Sequence, residues 1–209
     1  MQKIALTHSI KNPVVIEFNA IRYPKGVASV FNGESFGFKA LEFSVHYRTC
    51  KQINEGIQLH DLDYFKWTIQ KFERLGKNYE RFLFSPDKGC GLDPAMYNEI
   101  STIRNSIERH TLLAELSTQK FIELYDRIMN KWDTSSTANE ILFYKIINRR
   151  FVIIDGLHRL NILFHKYEKS NYDGFITDMR NVKRGYYYNR FKHHTKKAIL
   201  SISNKVLKK

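Results

Sequence analysis

The stretch Phe151-Val152-Ile153-Ile154-Asp155-Gly156-Leu157-His158-Arg159-Leu160 decides the fold. Phe151 to Ile154 is a continuous apolar, largely β-branched run, which reads as a buried strand. Asp155-Gly156 then makes a sharp turn, because glycine adopts backbone angles that other residues resist. Beyond it Leu157, Leu160, Leu163, Phe164 and Tyr167 recur at helical spacing. The pattern predicts strand, tight turn and helix, with His158 and Arg159 in the helix's first turn. A helix start leaves backbone N–H groups without intrahelical partners and carries partial positive charge. A histidine and an arginine placed there make an anion site, and phosphate is the usual anion. The alternative is an ordinary strand–helix turn with a surface His-Arg pair. The preceding segments favour the phosphate site, since Ile141 to Ile147 and Arg150 to Ile154 read as a hairpin turning at Asn148-Arg149. Tyr172 to Thr177 supplies a closing strand.

Ile154-Asp155-Gly156-Leu157-His158-Arg159-Leu160 resembles the signature turn of the ParB/sulfiredoxin superfamily. That turn reads Gly-x-His-Arg in sulfiredoxins and Asp-Gly-x-His-Arg in many relatives. The likeness runs from about Ile141 to Arg180 and rests on the five-position turn Asp155 to Arg159. It implies an α+β fold with a small mixed sheet whose turn binds nucleotide phosphates. On this reading residues 1–180 form the ParB/sulfiredoxin-like domain, residues 61–135 are a helical insertion, and residues 181–209 are a basic C-terminal extension. The phosphate-binding residues are Gly156, Leu157, His158 and Arg159, and the candidate catalytic residues are Asp155 and His158.

The resemblance implies several activities, which the residues sort. Sulfiredoxins place a cysteine directly before the His-Arg pair. Leu157 stands there in this chain, so sulfinic-acid repair lacks its nucleophile. Chromosome-partition ParB proteins carry a Glu-Arg-Arg type motif and a downstream DNA-reading helical region. His158-Arg159 departs from that motif, and no helix-turn-helix is evident after Arg180. A nuclease would need a metal–carboxylate cluster, which the sequence does not display. Superfamily members that phosphorylate free serine or related small molecules supply the remaining model. Phosphoryl transfer needs cations on the phosphates, usually Mg²⁺, and a carboxylate on the acceptor hydroxyl. Arg159 and His158 meet the first need. Asp155 meets the second, although a turn aspartate also commonly bonds its own backbone. Glu42, Glu55 and Asp63 are further carboxylate candidates. The expected function is therefore nucleotide-dependent phosphorylation of a small hydroxyl-bearing metabolite, with ATP or another nucleotide and Mg²⁺.

The chain is 43% hydrophobic and 14% aromatic over 209 residues, enough for a real core and too apolar for disorder. It shows no apolar run of membrane-spanning length and no signal-peptide pattern. Cys50 and Cys90 lack metal spacing and read as reduced thiols of a cytoplasmic protein, a single disulfide being the alternative. Net charge is +13, and residues 179–209 carry ten lysines and arginines with no acid. Lys183, Arg184, Arg190, Lys192, Lys196 and Lys197, interleaved with Tyr186, Tyr187, Tyr188 and Phe191, suit single-stranded nucleic acid or an acidic membrane surface. The competing reading of that tail is a terminal helix with a solvated basic face, since Ala198, Ile199, Ile202 and Val206 have near-helical spacing. A non-enzymatic nucleic-acid-binding or regulatory protein using the tail is thus the alternative function.

The first sixty residues read mostly as strands. Val14 to Tyr23 alternates between Pro13 and Pro24. Phe36 to Tyr47 alternates again, with a slip at Ala40-Leu41 that suggests a bulge or two short strands. On such a strand Glu42 and His46 are solvent-facing, or else site residues. From Asp61 the period becomes helical. Asp61 is the expected cap of a helix that buries Leu62, Phe65, Ile69 and Phe72 and ends at Gly76. Asp93-Pro94 starts a helix carrying Met96, Ile100, Ile103 and Ile107. Another helix carries Phe121, Leu124, Tyr125, Ile128, Met129 and Trp132. Ser85 to Gly91 lacks phosphate-loop spacing and reads as a connector from which Lys88 reaches toward an anion site. Residues 133–139 form a second polar loop.

Overall fold

The computed structural model describes residues 13–17, 20–24, 38–84, 92–93, 95–132, 141–145, 151–168, 174–178 and 182–183. Among the described residues the strands β1 (Pro13–Glu17), β2 (Ile21–Pro24) and β3 (Phe38–Ala40) come first. Helices follow among the described residues: α1 (Val45–Asn54), α2 (Asp63–Leu75), α3 (Lys77–Leu83), α4 (Ala95–Ser101) and α5 (Ser106–Asn130). The chain then runs through β4 (Leu142–Lys145), β5 (Phe151–Asp155), α6 (Leu157–Glu168), β6 (Gly174–Asp178) and β7 (Val182–Lys183). This is an α+β arrangement. No helix among the described residues is long and apolar enough to cross a membrane.

Phe151, Val152 and Ile153 are buried in succession. Neighbouring strand residues face opposite sides, so consecutive burial means that both faces of β5 are covered. β5 is the middle strand of a five-stranded sheet ordered β3–β2–β5–β4–β7. It runs parallel to β2, with Ile21 opposite Phe151, and antiparallel to β4, with Phe143 opposite Ile153. The β4–β5 pairing is the expected hairpin, whose turn lies outside the described residues. β1 and β6 pair antiparallel as a separate ribbon, Val15 opposite Ile176. The expected closing strand is therefore present, against β1.

The chain between Ala40 and Asp63 departs from the strand reading. A 3₁₀ turn spans Leu41–Phe43, and α1 begins at Val45. Ser44 decides this: it is extended, and its Oγ accepts the Tyr47 N–H at 3.0 Å, capping the helix. The apparent slip in the alternation at Ala40-Leu41 is the end of the strand. Asp61 does not cap α2, which starts at Asp63 behind Leu62. The first amides of α2 are met by α1 instead, since Asp63 N donates to Gln52 Oε1 at 2.8 Å and Tyr64 N donates to Thr49 Oγ1 at 2.9 Å. A neighbouring helix thus replaces the local cap. Gly76 ends α2 as expected, at φ 50°. α4 stops at Ser101, so Ile103 and Ile107 do not continue it, and Ile107 is 77% exposed on α5. Trp132 lies just beyond α5 and packs against the main core.

Two apolar cores form among the described residues. The main one joins Ile16, Ile21, Phe143, Phe151 and Ile153 of the strands to Val45, Tyr64, Trp67, Phe121, Tyr125, Leu160 and Leu163 of the helices. The second lies within the helical region, around Phe72, Tyr79, Leu83, Ile100, Leu113 and Ala114. α2 and α5 contribute to both, so the helical region is continuous with the sheet domain. α2 buries Tyr64, Trp67, Thr68 and Phe72, while Phe65 and Ile69, expected on its buried face, only border the second core. Lys166 of α6 closes the end of α5, its Nζ donating to Ile128 O at 2.8 Å and Met129 O at 3.0 Å. Burial lowers the pKa of that ammonium. Burial also pushes the Cys50 thiol up, keeping it protonated and unreactive.

The second core encloses one carboxylate. Glu80 Oε1 accepts from Arg109 Nε at 3.1 Å and lies 2.8 Å from His110 Nε2, with the Glu80 side chain 4% exposed. Arg109 also donates to Ile103 O at 2.6 Å, and His110 stacks on Phe72. Removing one partner of a buried ion pair leaves the other charge uncompensated. Glu80→Ala is expected to destabilise the protein by about 3–5 kcal/mol, read from urea unfolding. A change below about 1 kcal/mol would show the network to be energetically idle.

Candidate functional site

At the end of β5 the backbone turns through Gly156 with φ 81°. An L-residue is strained at that angle, and glycine is not. Leu160 N donates to Gly156 O at 2.9 Å, so Gly156 occupies the cap position of α6. A glycine cap has no side chain with which to occupy the first-turn amides. Asp155 is exposed, and its Oδ1 accepts the Gly156 N–H at 2.7 Å. The turn aspartate therefore bonds its own backbone. Leu157 packs against the main core, and Arg159 is half-buried in the same helical turn.

The first turn is braced from inside by Asn161, a residue that the motif reading did not single out. Asn161 Nδ2 donates to Leu157 O at 2.8 Å. Its Oδ1 accepts from Ser44 Oγ, the same atom that caps α1. Both side chains are buried, Asn161 at 0% and Ser44 at 1% exposure. Buried amide and hydroxyl groups are costly unless satisfied, and here each satisfies the other. The start of α1 is thereby hydrogen-bonded to the start of α6.

His158 faces inward. Its ring lies 4.7 Å from that of His46, 5.5 Å from Tyr64 and 5.5 Å from Phe121. Its Nε2 is 3.3 Å from the Tyr64 hydroxyl, which in turn is 3.3 Å from Ser117 Oγ. Although the residue keeps some surface, these rings enclose the imidazole. Burial, then Lys71 and Arg159, push its pKa down to about 3. Burial, then His158 and Lys71, hold His46 well below its ordinary range. Both imidazoles are neutral at physiological pH. With His158 neutral, the positive groups at the turn are Arg159 and the helix start.

The other candidates fall in different places. His46 is a buried helical residue beside His158, and not a strand residue facing solvent. Glu42 is exposed on the 3₁₀ turn, and Glu55 is exposed at the end of α1. Asp63 belongs to the α1–α2 joint, where its carboxylate accepts from Arg48 Nε at 2.6 Å and Gln52 Nε2 at 3.1 Å. Lys183 is in β7 and pairs with Tyr144. Arg184, Arg190, Lys192, Lys196, Lys197, Lys88, the segment 85–91 and Cys90 lie outside the described residues. Among the described residues no group of three or more His, Cys, Asp or Glu side chains could hold a metal ion. Sequence reasoning missed Ser44, Tyr64, Trp67, Lys71, Ser117 and Asn161. The available signals were an asparagine inside the apolar run Leu160 to Leu163, and the spacing of Tyr64, Trp67 and Lys71 on one helical face.

No protein-family model, curated protein or solved structure matches this chain.

The histidine pair sets a pH dependence. In the unfolded chain each imidazole titrates near 6.5; in the folded chain both titrate lower, His158 at about 3. Below pH 6.5 the unfolded state binds protons that the folded state does not, so stability falls as pH falls toward 3. Each histidine contributes a slope of up to about 1.4 kcal/mol per pH unit. Urea unfolding between pH 7.5 and 5.0 is expected to show this loss, and His158→Phe to show a shallower one. Equal slopes in the two proteins would mean that His158 is not held neutral.

Proposed function

We propose that this chain binds a nucleotide, probed here as ATP, by its phosphates at the β5–α6 turn and uses it with Mg²⁺ to phosphorylate a small hydroxyl-bearing metabolite. The observation that carries this reading is the turn itself: a buried central strand, Gly156 at φ 81° in the cap position, and Arg159 in the first helical turn. It joins the resemblance of Ile154 to Leu160 to the ParB/sulfiredoxin turn. The parts fit a phosphate. A glycine cap sets no side chain of its own against the amides of Leu157, His158 and Arg159, and a guanidinium would add charge-assisted hydrogen bonds. Asp155 holds the Gly156 amide with one oxygen, which fixes its carboxylate beside the turn.

The roles follow from these positions. ATP supplies the phosphoryl group, and Mg²⁺ takes most of its ligands from phosphate and water, needing only one or two carboxylates. Asp155 is the exposed carboxylate at the turn and is assigned to that ion or to the acceptor hydroxyl. Neutral His158 acts as a wall, filling the space behind the first turn and keeping water out of it. Asn161 and Ser44 hold the turn's backbone in place. With Leu157 packed into the core where a cysteine nucleophile would stand, sulfinic-acid repair is not proposed.

Isothermal titration of ATP, ADP and CTP with Mg²⁺, on the native chain and Arg159→Ala, tests this. Losing a charge-assisted phosphate contact is expected to weaken binding by about 1.5–3 kcal/mol. Absence of binding to the native chain overturns the reading, and salt-sensitive nucleic-acid binding lost on truncation at Arg180 would replace it.

A further inference from the structure

We infer that the outward face of α3 is a docking surface for single-stranded nucleic acid, an inference independent of the phosphate reading above. Lys77, Asn78, Arg81 and Phe82 are exposed on this helix, and Tyr79, Glu80 and Leu83 are buried. Residues four apart are neighbours on a helix surface, so Lys77 and Arg81 form one exposed row and Asn78 and Phe82 the next. The one acid of the helix is Glu80, which is turned inward and held by Arg109. It therefore offsets neither outward charge. Among the described residues the side chains of Lys77, Asn78 and Arg81 have no hydrogen-bond or ion-pair partner. Every outward side chain of α3 is a cation, an amide or an aromatic ring. On a chain of net charge +13, such a face is complementary to a polyanion.

Phe82 decides which polyanion. Its ring stacks on that of Tyr79, with centroids 5.9 Å apart and planes within 15°, and is still 40% exposed. Tyr79 is in turn held edge-on by Phe72 at 4.9 Å, and Phe72 stacks on His110. The exposed ring is thus supported from behind before anything binds, and it loses little freedom when a flat partner joins the stack. A nucleic-acid base is such a partner, since single strands bind by stacking on aromatic rings while cations track the backbone. Lys77 and Arg81 stand about 5–6 Å apart at Cβ in the adjacent row, placed for phosphates of the strand whose base covers Phe82. Asn78 brings an amide donor and acceptor to the base edge. A duplex keeps its bases paired inside and offers this face only its phosphates. An acidic bilayer would meet the charges, but Phe82 is backed against Tyr79 and flanked by an amide, which does not suit insertion.

The test is fluorescence anisotropy of a labelled oligothymidine on the full chain, titrated over a range of salt. The double variant Lys77→Gln, Arg81→Gln is expected to weaken binding. Its slope of log affinity against log salt should be shallower by about 1.4, at about 0.7 for each of two phosphate contacts. Phe82→Leu keeps an apolar contact on Tyr79 without a π face, and should weaken binding at least about fivefold with the slope unchanged. Phe82→Trp should bind as well as the native chain. Because the basic segment 181–209 also attracts polyanions, ultraviolet crosslinking of the oligothymidine supplies a readout that resolves the site. The adduct should fall on the peptide carrying Phe82 and be lost in the double variant. ATP titration should not change in any of these variants, so this inference and the phosphate reading fail separately. Oligothymidine affinity indifferent to Phe82→Leu, no adduct at Phe82, or duplex DNA bound as tightly as the single strand would each overturn the inference. So would Phe82-dependent binding to phosphatidylserine vesicles by a chain that does not bind oligothymidine.

Discussion

Burying an imidazole costs the free energy of its charged form, and His158 sits where that cost shapes the rest of the molecule. Its ring points from the first turn of α6 into a wall supplied by α1, α2 and α5: His46, Tyr64 and Phe121. Three helices that are distant in sequence must converge to enclose it. Aromatic packing of this kind contributes large buried areas and preferred tilted or edge-on geometries. The Tyr64 hydroxyl supplies the polar contact that a buried neutral imidazole requires. The enclosure holds the ring uncharged, and the uncharged ring in turn is compatible with an apolar wall.

That inward side chain divides the first turn of α6 into two surfaces. His158 is enclosed by rings and Leu157 packs against the main core, while Asp155 is exposed and Gly156 beside it is buried. Asn161 keeps the two in register. Its amide group holds Leu157 O on one side and the α1 cap on the other, so the turn cannot shift without disturbing Ser44. A turn that must present backbone amides to a ligand gains from this bracing, since groups held in place beforehand lose little freedom on binding. The helical region is accordingly part of the site's architecture, and its own second core secures the far ends of α2 and α5.

The strand–turn–helix could be read from sequence because its signals are local. Three β-branched residues in a row, an Asp-Gly turn and a leucine repeat each constrain the backbone within a few positions. Gly76 at the end of α2 and the β4–β5 hairpin were readable on the same grounds. The segment from Leu41 to Asp63 was not. Its helix start is fixed by a serine cap bonded to Asn161, 117 positions away, and the cap of α2 is supplied by Gln52 and Thr49 of another helix. Alternation of Phe38, Ala40 and later apolar residues mimics a strand until those partners are known. The inward turn of His158 was equally out of reach, because a first-turn histidine can face either way and only the wall decides. What the motif conveyed was where the site begins, not which residues close it.

The electrostatics of the wall also limit what it can hold. Two neutral imidazoles 4.7 Å apart invite a metal reading, since metal binding uses the neutral form of histidine. The neighbouring charges oppose it. Lys71 and Arg159 both bear on His158, and Lys71 bears on His46 as well. A divalent cation placed between the rings would meet positive charge from two helices, with no carboxylate beside it among the described residues to complete a site. Such a field repels a cation for the same reason that it attracts an anion. The low pKa values of the pair therefore reflect enclosure and nearby positive charge, and they do not mark a ligand set. His158 is the enclosed inner support of the β5–α6 turn.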